Sequence, residues 1–129
     1  MTALTLSPAE DRLRTVLAVD ALVVGLSGLL LAATPSSWYG DLPGWVVRVG
    51  GIVLALVSAE VGLVSRWRGR RLTLGATVTA DLAFLWTATL LVGVEVFDLR
   101  GAGLETFAFS ALATLVFGLL ETSLVRALR

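Results

Sequence analysis

The sequence predicts an all-α protein: a four-transmembrane-helix bundle built from two tandem parallel two-helix repeats. Three observations predict it. Hydrophobic residues make up 57% of the 129-residue chain and mean hydropathy is +0.89, too apolar for a soluble domain that must cover its surface with polar groups. Four apolar runs are each long enough to cross about 30 Å of hydrocarbon as a helix. The arginines sort strongly to one side of those runs.

Taken in order, residues 1–6 are short and of mixed polarity. Ser7-Pro8-Ala9-Glu10 reads as a capping box with proline at the first helical position. The helix it starts enters the apolar stretch Leu13–Ala33. A cleaved signal peptide is disfavoured, because the run is too long and Asp20 interrupts it. Thr34–Gly44 is a loop bracketed by Pro35 and Pro43, with Trp38 and Tyr39 placed as interfacial anchors. Trp45–Ser65 is the second span, and Arg66–Arg71 is a tight basic loop. Leu72–Val96 is the third span, Phe97–Gly103 a short turn, and Leu104–Val125 the fourth span.

Arg12, Arg14, Arg66, Arg68, Arg70, Arg71, Arg126 and Arg129 fall on one side, against Arg48 and Arg100 on the other. The positive-inside rule then places both termini and the middle loop in the cytoplasm. A bacterial inner (plasma) membrane is the expected location, since a composition rich in Arg, Ala, Leu, Val and Gly suits a high-GC bacterial genome.

A 61-residue shift matches the chain to itself. It pairs Asp20 with Asp81, Glu60 with Glu121, Gly40 with Gly101 and Arg68 with Arg129, along with several leucines and a valine. Each half, 7–68 and 69–129 of a single domain 1–129, holds two spans and enters the membrane in the same direction, so the repeat is parallel.

The paired acids are the one feature that asks a chemical question. Asp20 lies roughly 10 Å inside the cytoplasmic end of its apolar span; Glu60, Asp81 and Glu121 are placed similarly in theirs, in the cytoplasmic half of the bilayer, and the four would form a layer if all pointed inward. Inward is the default, because a carboxylate facing lipid is costly. Glu121 shares a face with Gly118, Thr114 and Ser110, a stripe suited to helix contact. Asp20 shares one with Ser27, and Asp81 with Thr77 and Ala88. Glu60 instead shares a face with Val53, Leu56 and Val57, while Gly51, Ala55 and Gly62 lie on another side. The structural reading of the layer pairs each acid with an arginine such as Arg12, Arg66 or Arg126, or has it donate as a neutral acid, fixing helix register. The functional reading makes it a cation or proton site. The many nearby arginines favour the structural one. A divalent metal on four carboxylates is weaker still, and no metal is expected.

Other residues have a bland reading beside a sharp one. Trp86 sits mid-span and either fills the core or stacks on an organic cation near Asp81. Trp67 with Arg66, Arg68, Arg70 and Arg71 is an interfacial anchor or a contact for anionic lipid headgroups. Gly25 and Gly28 permit helix contact. Glu95, Asp98 and Glu105 are expected to be solvated.

The chain contains no Lys, His or Cys. That excludes a Schiff-base lysine, haem or zinc on His or Cys, a thiol nucleophile and any disulfide. Ser58 and Ser110 have no histidine base, and no phosphate-binding glycine loop or paired-aspartate motif is present. No enzyme activity and no cofactor are expected, and a net charge of zero offers nothing to nucleic acid.

Leu13-Arg14 followed by Asp20-Ala21, Leu42-Pro43 followed by Arg48 and Gly51, and Trp86 in the third span resemble small four-span integral membrane proteins of high-GC Gram-positive bacteria. Asp81 and Phe84 stand where that pattern has an asparagine before the tryptophan. Pro35 and Trp38 after the first helix are similar to the SPW repeat, though Thr34-Pro35-Ser36-Ser37-Trp38 lacks its contiguous Ser-Pro-Trp. Neither resemblance implies an activity or a set of functional residues. The expectation is a small membrane protein that assembles with itself or with a membrane-protein partner among lipids. A proton-coupled or cation transporter is the alternative.

Overall fold

The computed structural model describes residues 8–39 and 42–128; the expected cap at Ser7 and residues 1–6 lie outside them, as do Gly40, Asp41 and Arg129. The described residues form four α-helices, α1 (Pro8–Ala33), α2 (Gly44–Val64), α3 (Gly69–Val96) and α4 (Gly101–Ala127), with a 3-10 turn at Ser36–Tyr39. All four helices are long and apolar enough to cross a membrane. The chain is therefore a multi-pass membrane protein with the expected four-helix bundle. Helices α1, α3 and α4 outrun their apolar runs by a few residues, so their polar ends reach past the hydrocarbon.

Short connections make consecutive helices antiparallel. The α2–α3 link is tightened by backbone bonds from Ser65 N–H to Val61 O (3.0 Å) and Trp67 N–H to Val64 O (2.9 Å). Arg14 of α1 donates from Nε to Ser65 O at 2.8 Å, capping a carbonyl at the end of α2. After α3, Leu99 N–H bonds Val94 O (3.1 Å) and Asp98 N–H bonds Glu95 O (3.3 Å). Asp98 takes a φ of 48°, as a Schellman ending requires. Leu99 and Val94 pack in the same apolar cluster, the hydrophobic contact that accompanies that motif.

Two hairpins, α1/α2 and α3/α4, carry most of the packing; between them α1 meets α4 more extensively than α2 meets α3. Lipid tails are as apolar as leucine, so close backbone approach and hydrogen bonds must hold each hairpin. In the first, Gly28 and Gly51 face each other so closely that a Cβ on Gly28 would sit 2.9 Å from Gly51 O, and one on Gly51 2.8 Å from Gly28 O. Ser58 Oγ donates to Ala21 O at 2.7 Å. In the second, the Phe84 ring covers Gly118, and the Thr87 and Thr114 hydroxyls bond at 2.6 Å. Gly25 and Gly28 are thus contact positions, as expected.

At the arginine-rich end, Leu13, Leu17, Val61, Val64, Leu72, Ala76 and Val125 close the bundle with residues from all four helices. At the opposite end, Tyr39, Leu42, Val47 and Leu99 form a second cluster. Tyr39 is 3% exposed and its ring lies 6.0 Å from that of Phe107, so it is a buried plug and not the interfacial anchor its loop position suggested. Its backbone rests on Gly103, and Trp38 Nε1 donates to Thr106 Oγ1 at 3.2 Å. The loop is thereby fastened to α4, which holds the two hairpins together at this end.

Overpacking a tight contact costs about 1–3 kcal/mol. Gly28→Val should therefore lower the thermal unfolding midpoint in detergent. Gly62→Ala, whose new Cβ would meet Ala21 at an ordinary 3.7 Å, should leave that midpoint unchanged.

Candidate functional site

The four acids of the sequence divide. Asp20 on α1 is 4% exposed and Glu121 on α4 is 0% exposed. Their carboxyls lie close together across the two hairpins. Glu60 on α2 is half-buried, with Oε2 fully covered and close to both. Asp81 does not join them; it is exposed. The expected layer of four is a cluster of three.

The local cause is helix rotation. On α1, Leu13, Leu17, Asp20, Val24 and Gly28 form one buried stripe. On α4, Gly103, Ala111, Gly118, Glu121 and Val125 do the same, the small-residue face that the sequence showed. On α3 the buried stripe is Leu72, Gly75, Ala76, Thr79, Ala80 and Leu90. Asp81 is five residues past Ala76, which turns it about 140° away from that face. On α2, Val61 and Val64 hold the core, and Glu60 reaches inward from their flank.

The arginine pairing expected for the acids is absent. Among the described residues no guanidinium forms an ion pair with Asp20, Glu60 or Glu121; Arg14 is used at Ser65 and Arg100 pairs with Asp98 at 3.3 Å on the exposed turn. Among the described residues nothing donates to either Glu121 oxygen or to Glu60 Oε2. Two ionised carboxylates have only acceptors to offer. The Asp20–Glu121 contact is therefore a hydrogen bond only when one of the two carries a proton. Among the described residues no three acids are grouped as metal ligands.

Directly beyond this pair lies a cavity of about 570 Å³ between the hairpins. Val24 and Phe117, each one turn from an acid, line its near end; Ser27, Leu54, Trp86 and Thr114 line its middle. Trp86 thus faces this space, while Asp81 of the same helix faces outward, so the two do not form the joint cation site that their spacing suggested. Trp67 packs against the arginine-end cluster and carries the Arg71 guanidinium 4.3 Å from its ring centroid. Arg66, Arg68, Arg70 and Arg71 are all exposed, as are Glu95, Asp98 and Glu105.

The chain matches no protein-family model, no curated protein and no solved structure. Function has to be argued from these residues alone.

Removing Asp20 while keeping Glu121 strands a buried carboxyl, which costs about 1–3 kcal/mol. Asp20→Val should accordingly lower the unfolding midpoint in detergent. Asp20→Asn, which still offers a donor to Glu121, should retain most of the stability.

Proposed function

We propose that this protein acts by assembly: a small membrane-embedded unit, clasped internally by Asp20 and Glu121, that associates with further copies or with another membrane protein. The observation that carries this reading is Asp81. It lies nine residues into the third apolar run, about 14 Å from its start, and its own chain leaves it uncovered. An ionisable group in hydrocarbon needs a polar partner, and that partner has to come from outside the chain. The absence of any Lys, His or Cys speaks for a role without catalysis. The arginine distribution supports a bacterial inner membrane with both termini in the cytoplasm, where exposed Arg66, Arg68, Arg70 and Arg71 meet anionic lipid headgroups. In lipid nanodiscs formed from native membranes, the particle mass should correspond to more than one protein chain. A single chain per particle at every protein density would reject assembly.

One observation favours a second reading. Asp20, Glu60 and Glu121 gather with no arginine to neutralise them, beneath a cavity between the hairpins. That arrangement suits reversible protonation coupled to passage of a cation or a proton. Proteoliposomes with an internal pH dye would then show a flux that Asp20→Asn abolishes. No acid-dependent flux of protons or monovalent cations would remove this alternative.

A further inference from the structure

The outward faces of the four helices are not alike. On α1 the exposed stripe includes Val19, Leu22 and Leu26; on α2, Val49, Ile52 and Leu56; on α4, Leu112, Val116 and Leu119. These are faces that lipid tails can cover unaided. On α3 the exposed stripe is Leu74, Val78, Asp81, Leu85, Ala88 and Val92. It runs from Leu74 to Val92, about 27 Å along the helix, and it alone carries a carboxyl at its middle. Its spacing alternates four and three, the a/d pattern with which two parallel helices pack knobs into holes.

We propose that a second copy of this chain packs on that face, α3 against α3, about a twofold axis along the membrane normal that brings the two Asp81 carboxyls together. The inference rests on the assembly reading above and names its partner. Two copies inserted in one orientation have parallel α3 helices, so a twofold along the normal sets both Asp81 residues at one depth. Inside this bundle, too, one carboxyl lies beside another, Asp20 beside Glu121. Two carboxyls hydrogen-bond to each other when a proton is held between them, because ionised carboxylates only accept. Leu74, Val78, Leu85 and Val92 then fill the seam on either side, and Ala88 allows the backbones to approach. A lone polar residue in an otherwise apolar seam fixes register and partner number, at a cost in stability if it is left unmatched.

The chain has no cysteine, so single cysteines report contacts without background. The test uses the full chain in native membranes, oxidised after introducing Leu85→Cys or Ala88→Cys on α3, or Leu112→Cys on the outward face of α4. The expected result is a disulfide-linked dimer from the α3 positions and none from Leu112→Cys. Adding Asp81→Leu to the Leu85→Cys chain should abolish the dimer band, while Asp81→Asn, which can hydrogen-bond across the axis, should keep it. Asp81 is on an exposed face, so Asp81→Leu should leave helix content unchanged, which circular dichroism checks. A dimer that links through Leu112→Cys and not through α3 overturns this interface but leaves assembly standing. Undiminished linking in Asp81→Leu overturns the role of the carboxyl. A complex containing one copy and a different protein overturns the second-copy partner, and a lone monomer overturns both readings.

Discussion

A carboxyl inside the hydrocarbon of a membrane has to be met by another polar group, and this constraint organises the bundle. Asp20 and Glu121 meet each other, and their contact explains where the two hairpins touch. Gly28 against Gly51 and Phe84 against Gly118 hold each hairpin by shape. Among the described residues, one hairpin is joined to the other by the clusters at the two ends and the acid pair beside the arginine-rich one. Between those fastenings the hairpins part, which leaves the cavity lined by Trp86 and Thr114.

The same constraint gives the outside of the bundle its meaning. Asp20 and Asp81 are matched positions in the 61-residue self-match of the sequence, yet one is buried and the other exposed. The contact between α1 and α4 is correspondingly broader than that between α2 and α3. If the halves packed alike, Glu60 and Asp81 would face each other as Asp20 and Glu121 do. Instead Glu60 turns toward the existing pair and Asp81 is left exposed.

The spans, their order and the short connections were legible in the sequence, because hydropathy and helix length report directly on what can cross a membrane. Which acid points inward was not. Asp20 is flanked at −3 and +4 by Leu17 and Val24, both buried, and Asp81 by Val78 and Leu85, both exposed. The residue types are equivalent, because a lipid-facing surface is as apolar as a core. The signal that separates them is the small-residue stripe: Glu121 shares its face with Gly118, whereas on α3 Gly75, Ala76, Thr79 and Ala80 mark a face that excludes Asp81. Tyr39 escaped for a related reason, since its loop position suited an anchor and only the close approach at Gly103 reveals a plug. The arginine pairing failed because Arg12, Arg66 and Arg126 stay exposed instead of turning toward the buried acids.

The central claim is that residues 20 and 121 act as one unit across the hairpins while residues 60 and 81 do not. A double-mutant cycle on unfolding in detergent, at 20/121 with Asp20→Val and Glu121→Leu and at 60/81 with Glu60→Leu and Asp81→Leu, tests it most directly. Contacting residues show coupling of about 0.5–3 kcal/mol, and independent ones add. Coupling is expected at 20/121 and additivity at 60/81. Additivity at 20/121, or equal coupling in both pairs, would contradict it.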